Sequence, residues 1–361
     1  MFTPVRLGAI EIPNRIVMAP MTRSRANANA EPGPLHALYY QQRASAGLII
    51  TEGTAPSADG LGYARTPAIY TEGQIAGWKL VTDAVHKAGG RIVLQLMHVG
   101  RIAHPLNQPA GARIVAPSAV TAKSQMWTDS QGMQPVPAPV ELTDEEIPAV
   151  INGFASATRN ARLAGFDGVE LHGANGYIVN QFLSTNTNQR TGPYGGSVEN
   201  RARFAIETID AMSAAWESGR IGIRVSPGGS FNDMQDDAAS QTYPYLAREL
   251  SSRALAYLHV VRPAPFHPSS QAFDVVPVLR DAYRGALILN GGLDLAQAQS
   301  LLSQNLGDAF SFGRSFIANP DLPEVLRKGV PLAQADHTTF YTPGEKGYTD
   351  YPKVAGFTAT P

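Results

Sequence analysis

Short apolar runs bounded by turn residues recur along the chain. Eight stand out: Ile16–Pro20, Gly47–Gly53, Arg91–His98, Gly168–Gly173, Ile221–Pro227, Tyr257–Arg262, Ala286–Gly292 and Ala309–Arg314. They are rich in β-branched residues and alternate little, the pattern of strands buried on both faces. Helical patterns lie between most of them. Thr71-x-x-Gln74 and Thr143-x-x-Glu146 match capping boxes. Asn200–Glu217 carries Phe204, Ile206, Ile209 and Met212 at close to helical spacing, and Asp294–Asn305 and Pro320–Lys328 follow the last two runs. Repeated strand–helix alternation predicts an α/β fold, a (β/α)8 TIM barrel. The rival is an open doubly wound sheet, and eight repeats within about 300 residues favour the barrel.

Two segments break the alternation. Phe2–Asn14 reads as a short hairpin that could plug the barrel bottom. Arg101–Leu142 is long, polar and proline-rich. A structureless loop of that length is usually functional or disordered. Following the third strand, it would lie over the C-terminal mouth as an active-site cover; a plain surface excursion is the alternative. Residues 1–361 are expected to form a single domain, with 101–142 as its capping excursion.

Composition narrows the function. The 361 residues carry a formal net charge of −1, with 43% hydrophobic and 16% charged residues, an ordinary folded composition. Near-neutral charge offers no electrostatic footprint for nucleic acid or anionic lipid. The chain has no cysteine, which excludes disulfides, thiolate metal sites and cysteine nucleophiles. Its eight histidines show no metal-ligand spacing, so no metal is expected. No apolar run is long enough to span a bilayer, and Met1–Pro13 lacks the features of a signal peptide. A cytoplasmic location is the expectation.

In a barrel of this kind the chemistry sits at the C-terminal strand ends. The first run ends in Pro20-Met21-Thr22-Arg23 and the second in Glu52-Gly53, while the third carries Gln95. Gly291-Gly292 and Gly313-Arg314 end the seventh and eighth runs. Glycines there let backbone N–H groups approach a phosphate closely, and Arg314 adds charge; ordinary turns are the alternative. His172, Asn175 and Tyr177 are clustered after the fourth run. His172 and Asn175 can both donate to one substrate oxygen, and Tyr177 carries a transferable proton. Arg224 interrupts an apolar strand and needs a partner: an anionic cofactor edge, or a carboxylate such as Glu170 or Glu52. No dinucleotide fingerprint or P-loop is present.

Five blocks carry a family resemblance: Arg190–Phe204 (RTGPYGGSVENRARF), His172–Leu183 (HGANGYIVNQFL), Leu94–Arg101 (LQLMHVGR), Pro20–Ala26 (PMTRSRA) and Gly347–Pro352 (GYTDYP). Together they resemble the old yellow enzyme family of FMN-dependent ene-reductases, most of all its bacterial N-ethylmaleimide, pentaerythritol tetranitrate and morphinone reductase group. The resemblance implies non-covalent FMN. Thr22 would bond the flavin near N5, and Pro20, Met21 and Gly53 would line its ring. Gln95 and Arg224 would meet the pyrimidine edge; Gly291, Gly313 and Arg314 would hold the phosphate. It implies a ping-pong cycle in which NADPH or NADH reduces FMN and an α,β-unsaturated carbonyl reoxidises it. His172 and Asn175 would bind the acceptor carbonyl and Tyr177 would protonate the α-carbon. Nitro compounds and nitrate esters are further acceptors by the same resemblance. Met97 stands where many relatives have tryptophan, which should loosen that pocket wall. Tyr63, Phe231, Tyr348 and Tyr351 are expected to line the pocket, Phe231 on position alone. A flavin-binding barrel with a sensing or storage role is the alternative function; oligomeric state is left open.

Overall fold

The computed structural model describes residues 1–263 and 274–354. Eight parallel strands close into a barrel: β1 (Ile16–Met18), β2 (Leu48–Ile50), β3 (Ile92–Leu96), β4 (Gly168–Gly173), β5 (Ile221–Val225), β6 (Tyr257–Val261), β7 (Leu287–Asn290) and β8 (Ala309–Phe312). Each is one of the eight apolar runs. All but β4 are shorter than their run, because the last residues leave the hydrogen-bonded ladder and turn toward the mouth. Every residue of β1 to β5 is buried, as strands covered by helices on one side and barrel filling on the other must be.

Helices Pro34–Gln42 (α1), Glu72–Lys87 (α2), Ile147–Leu163 (α3), Ile178–Leu183 (α4), Val198–Ala215 (α5), Ala239–Ser251 (α6), Val275–Ala282 (α7), Leu295–Ser303 (α8), Arg314–Ala318 (α9) and Leu322–Lys328 (α10) lie between and after the strands. The Thr71–Gln74 capping box starts α2. At Thr143 only half the expected box forms: Glu146 accepts the Thr143 N–H at 2.9 Å, but α3 begins after Glu146. Among the described residues no helix is long and apolar enough to cross a membrane.

The expected N-terminal hairpin is present, Val5–Leu7 pairing antiparallel with Ile10–Ile12. Leu7, Ile10 and Ile12 pack on Val17, Leu48, Ile50, Val93 and Ile288 and close the lower end of the barrel. The turn demands glycine. Gly8 has φ of 58°, and a Cβ there would lie 2.5 Å from the Gly219 carbonyl oxygen.

The segment 101–142 is more ordered than its composition implies. It contains an antiparallel hairpin, Gln125–Thr128 with Gly132–Pro135. A parallel pair, Val115–Ala116 with Val140–Glu141, brings together the stretches before and after this hairpin. Met126 and Val136 pack with Met97, Val99, Ile102 and Tyr177 in one buried cluster, so the hairpin is fastened to the mouth through its apolar face. Arg190, from the RTGPYGGS block, holds the base. It donates to the Pro117 carbonyl at 2.9 Å and the Leu142 carbonyl at 2.5 Å, and pairs with Asp144. That block is therefore a clasp for the cover.

Candidate active site

Parallel strands deliver all their C-terminal ends to one face. There an inner cavity of about 480 Å³ is lined by Pro20, Met21, Thr22, Gly53, Gln95, Met97, His172, Asn175, Tyr177, Arg224, Gly313 and Arg314. With Val261 and Asn290, residues from all eight strand ends meet in one space. Gly291 follows Asn290, which lines the cavity, and its φ of 117° is open to glycine alone at low cost.

The histidine–asparagine–tyrosine cluster owes its shape to the turn after β4. Asn175 has φ of 58° and Gly176 has φ of 78°, two left-handed residues in succession. Asparagine tolerates that region better than most side chains. At Gly176 a Cβ would sit 2.8 Å from the Asn232 side chain and 2.9 Å from Met234. The turn is tied by Asn175 N–H to Ser226 Oγ at 2.9 Å and by Asn232 Nδ2 to the Asn175 carbonyl at 2.8 Å.

His172 is buried, and its Nδ1 accepts from the Ala174 N–H at 3.3 Å. That bond leaves the proton on Nε2. Burial, with Arg224 and His259 nearby, holds its pKa well below the ordinary histidine value. The imidazole is therefore a neutral donor at physiological pH. Tyr177 packs edge-on against it, the ring centroids 4.8 Å apart. The Tyr177 hydroxyl meets the Tyr63 hydroxyl at 3.1 Å. Burial and the neighbouring Tyr63 push its pKa well above the usual phenol value, so its proton is retained.

Arg224 makes no direct ion pair with either of the carboxylates considered for it, although the charge of Glu170 acts on it from nearby. Its Nη2 donates to Asn290 Oδ1 at 3.0 Å, and its buried Nε has no hydrogen-bond partner. Glu52 instead accepts the Arg23 N–H at 3.1 Å and lies 3.4 Å from the Tyr40 hydroxyl. Glu170 bonds Gln95 and His259. A buried guanidinium with an unused donor beside an open cavity calls for an acceptor from a ligand.

An outer cavity of about 880 Å³ shares Thr22, Tyr177 and Tyr341 with the inner one. Tyr63 and Phe231 line it, as do Met126, Trp127 and Met133 of the cover hairpin. Tyr348 and Tyr351 do not reach either cavity. Tyr348 is fully buried, stacked on Tyr39 with centroids 4.0 Å apart. The Tyr351 hydroxyl accepts from the Asp336 N–H at 2.9 Å. The cause lies in PMTRSRA. Arg23 donates to the Gly347 carbonyl at 2.7 Å, and Arg25 donates to the carbonyls of Thr339, Phe340, Gly344 and Lys346. These bonds draw Tyr348 inward and leave Tyr341 at the mouth. Tyr341, Trp127 and Arg65 carry no signal in the sequence that marks them as site residues. Arg65 donates to the Tyr341 carbonyl at 2.9 Å and pairs with Asp129, which also accepts from the Trp127 indole. It thereby ties the cover to the mouth. No local pattern announces that tie, because its members lie in three segments far apart in sequence.

The profile of the NADH:flavin oxidoreductase / NADH oxidase family matches residues 1–333. The chain belongs to this family. A probable flavin mononucleotide-dependent alkene reductase of Leishmania infantum is 43% identical over 98% of this chain and 97% of its own length. Morphinone reductase superposes with a TM-score of 0.95 at 46% identity, covering 98% of this chain and 96% of its own; it has also been solved in complex with tetrahydroNAD. The old yellow enzyme homologue from Zymomonas mobilis gives 0.94 at 39% identity, covering 98% of this chain and 99% of its own. A family flavin suits the inner cavity. The unpaired Arg224 donor, the amide of Gln95, the glycine backbone at Gly313 and the exposed Arg314 are groups of the kind an FMN ring and phosphate would need.

Proposed function

We propose that this FMN-dependent ene-reductase holds the carbonyl oxygen of an α,β-unsaturated acceptor between His172 and Asn175 and protonates its α-carbon from Tyr177. FMN, when bound, supplies the hydride, taken from a reduced nicotinamide and delivered to the β-carbon. Pro20, Met21, Thr22, Gly53, Gln95, Arg224, Gly291, Gly313 and Arg314 hold and tune it. The reading treats residues 1–361 as one FMN-binding unit with 101–142 as its cover. The observation that carries the division of labour is the convergence of a neutral imidazole, a carboxamide and a protonated phenol on the inner cavity. Two hydrogen-bond donors on one oxygen pull electron density from the alkene and stabilise negative charge as it develops. The nicotinamide uses the same pair, so donor and acceptor alternate.

The outer cavity supports an acceptor with an apolar body. Relatives named for alkenes, 12-oxophytodienoate and morphinone fit that class. Trp127 and Met133, paired across the cover hairpin and each 52% exposed, offer such a body a surface to bury. Trp127→Ala is expected to lower kcat/KM by about tenfold for a cyclohexenone bearing an aryl arm. Unsubstituted 2-cyclohexenone, which stays over the inner cavity, should be unaffected; equal losses for both would assign Trp127 to folding of the cover.

The primary experiment is anaerobic. NADPH should bleach the flavin bands, and one equivalent of 2-cyclohexenone should restore them. Bleaching without recovery against a panel of enones would favour a reductase or sensor with no ene acceptor. The pH dependence follows from the pKa directions. His172 is shifted down and Tyr177 up, so neither changes protonation between about pH 6.5 and 9.5. The reoxidation rate constant is expected to be flat over that range in stopped-flow traces. An inflection inside it that vanishes in Tyr177→Phe would contradict the upward shift of the Tyr177 pKa.

A further inference from the structure

Beneath the mouth lies a set of buried polar groups that the chemistry above does not use. Glu170 sits on β4 two residues before His172, so both point into the barrel. It is in register with Gln95 on β3. Its carboxylate is fully buried and both oxygens are engaged: Oε1 accepts from Gln95 Nε2 at 2.7 Å, and Oε2 meets His259 Nδ1 at 2.8 Å. His259 Nε2 continues to Ser311 Oγ at 2.8 Å. Asn290 Nδ2 donates to the Ser311 carbonyl at 2.9 Å, and Asn290 Oδ1 accepts from Arg224 at 3.0 Å. The line of bonds begins at Gln95 and ends at Arg224.

We propose that Glu170 is a positioning residue for the flavin, acting through Gln95. An ionised carboxylate accepts hydrogen bonds and cannot donate them. Gln95 must therefore turn its NH2 toward Glu170, which leaves its carbonyl oxygen as the atom offered to the inner cavity. The pyrimidine ring of a flavin carries an N–H donor between two carbonyl acceptors. A glutamine presenting oxygen pairs with that N–H; a flipped glutamine would set donor against donor. His259 supplies the compensating N–H without which a carboxylate buried in the barrel would be costly. Glu170 thus selects one of two otherwise similar amide orientations, from below the cofactor and without touching it. The inference rests on FMN occupying the inner cavity.

The test is a double-mutant cycle on FMN affinity, read as quenching of flavin fluorescence when apoprotein is titrated with FMN. Glu170→Met frees the amide and is expected to raise the FMN Kd about tenfold. In a Gln95→Ala background the same change should alter Kd by less than about twofold. Glu170→Gln keeps the shape and can turn either end toward Gln95. Its Kd should rise by only about two- to fivefold, again only where Gln95 is present, and it carries the cycle if the methionine variant does not fold. Equal losses with and without Gln95 would overturn the proposal and leave Glu170 a structural residue of the barrel, as would an unchanged Kd in both Glu170 variants. Failure of the unaltered protein to bind FMN would instead overturn the cofactor reading itself.

Discussion

Tyr177→Phe leaves FMN binding and flavin reduction intact and slows reoxidation by 2-cyclohexenone by about 10²- to 10⁴-fold, the range expected for loss of a positioned general acid. Only the hydroxyl is removed, which meets the Tyr63 hydroxyl at 3.1 Å. The ring keeps its edge contact with His172, so the walls of both cavities persist. Separate stopped-flow traces of the two half-reactions check this. Reduction by NADPH should match the unaltered protein while enone reoxidation collapses. Tyr63→Phe is the control, since it removes the neighbouring hydroxyl and leaves the donor. A nitroalkene should suffer less, because its product anion can take a proton from water. Enone reoxidation that survives unchanged would remove Tyr177 from the proton-donor role.

The second large effect concerns His172 and Asn175, the pair proposed to bind the acceptor oxygen. His172→Ala combined with Asn175→Gly is expected to lower kcat/KM for enones by about 10²- to 10³-fold, with FMN retained. Glycine is the right replacement at 175. The residue has φ of 58°, so alanine would add backbone strain of about 1 kcal/mol to the loss of the carboxamide. Each single variant should lose part of the effect, since the remaining donor still meets the oxygen. Para-substituted phenols, whose phenolate oxygen would use the same two donors, should stop perturbing the flavin spectrum in the double variant. Phenol binding that persists with full affinity would place the acceptor oxygen elsewhere.

Much of the site was legible because it lies at strand ends. The buried strands have an apolar, β-branched signature, and a parallel barrel has only one face at which its C-terminal ends can meet. Thr22, Gln95, His172, Asn175, Tyr177, Arg224 and Gly313 follow from those two facts, and all line one cavity. The family resemblance added names for their roles. The walls were harder to read. Tyr348 and Tyr351 lie in the GYTDYP block and were expected in the pocket, yet the mouth receives Tyr341 from the stretch before it. The segment 101–142 has too many prolines and too little periodicity to reveal its hairpin, which exists because Met126 and Val136 find an apolar partner surface around Met97 and Tyr177.

By itself the sequence determined the barrel, the plug at its lower end and which polar residues gather at its mouth, because strand propensity, turn residues and strand polarity act over a few neighbouring positions. The tertiary structure alone decided the shape of the pocket and the support beneath it. Arg23 chooses which tyrosine faces the mouth by gripping a carbonyl 324 positions away. Glu170 meets His259 across 89 positions, on strands with another between them. Such pairings are set by how the closed barrel brings distant segments together, and a charged side chain gives no local sign of the partner it will need once it is buried.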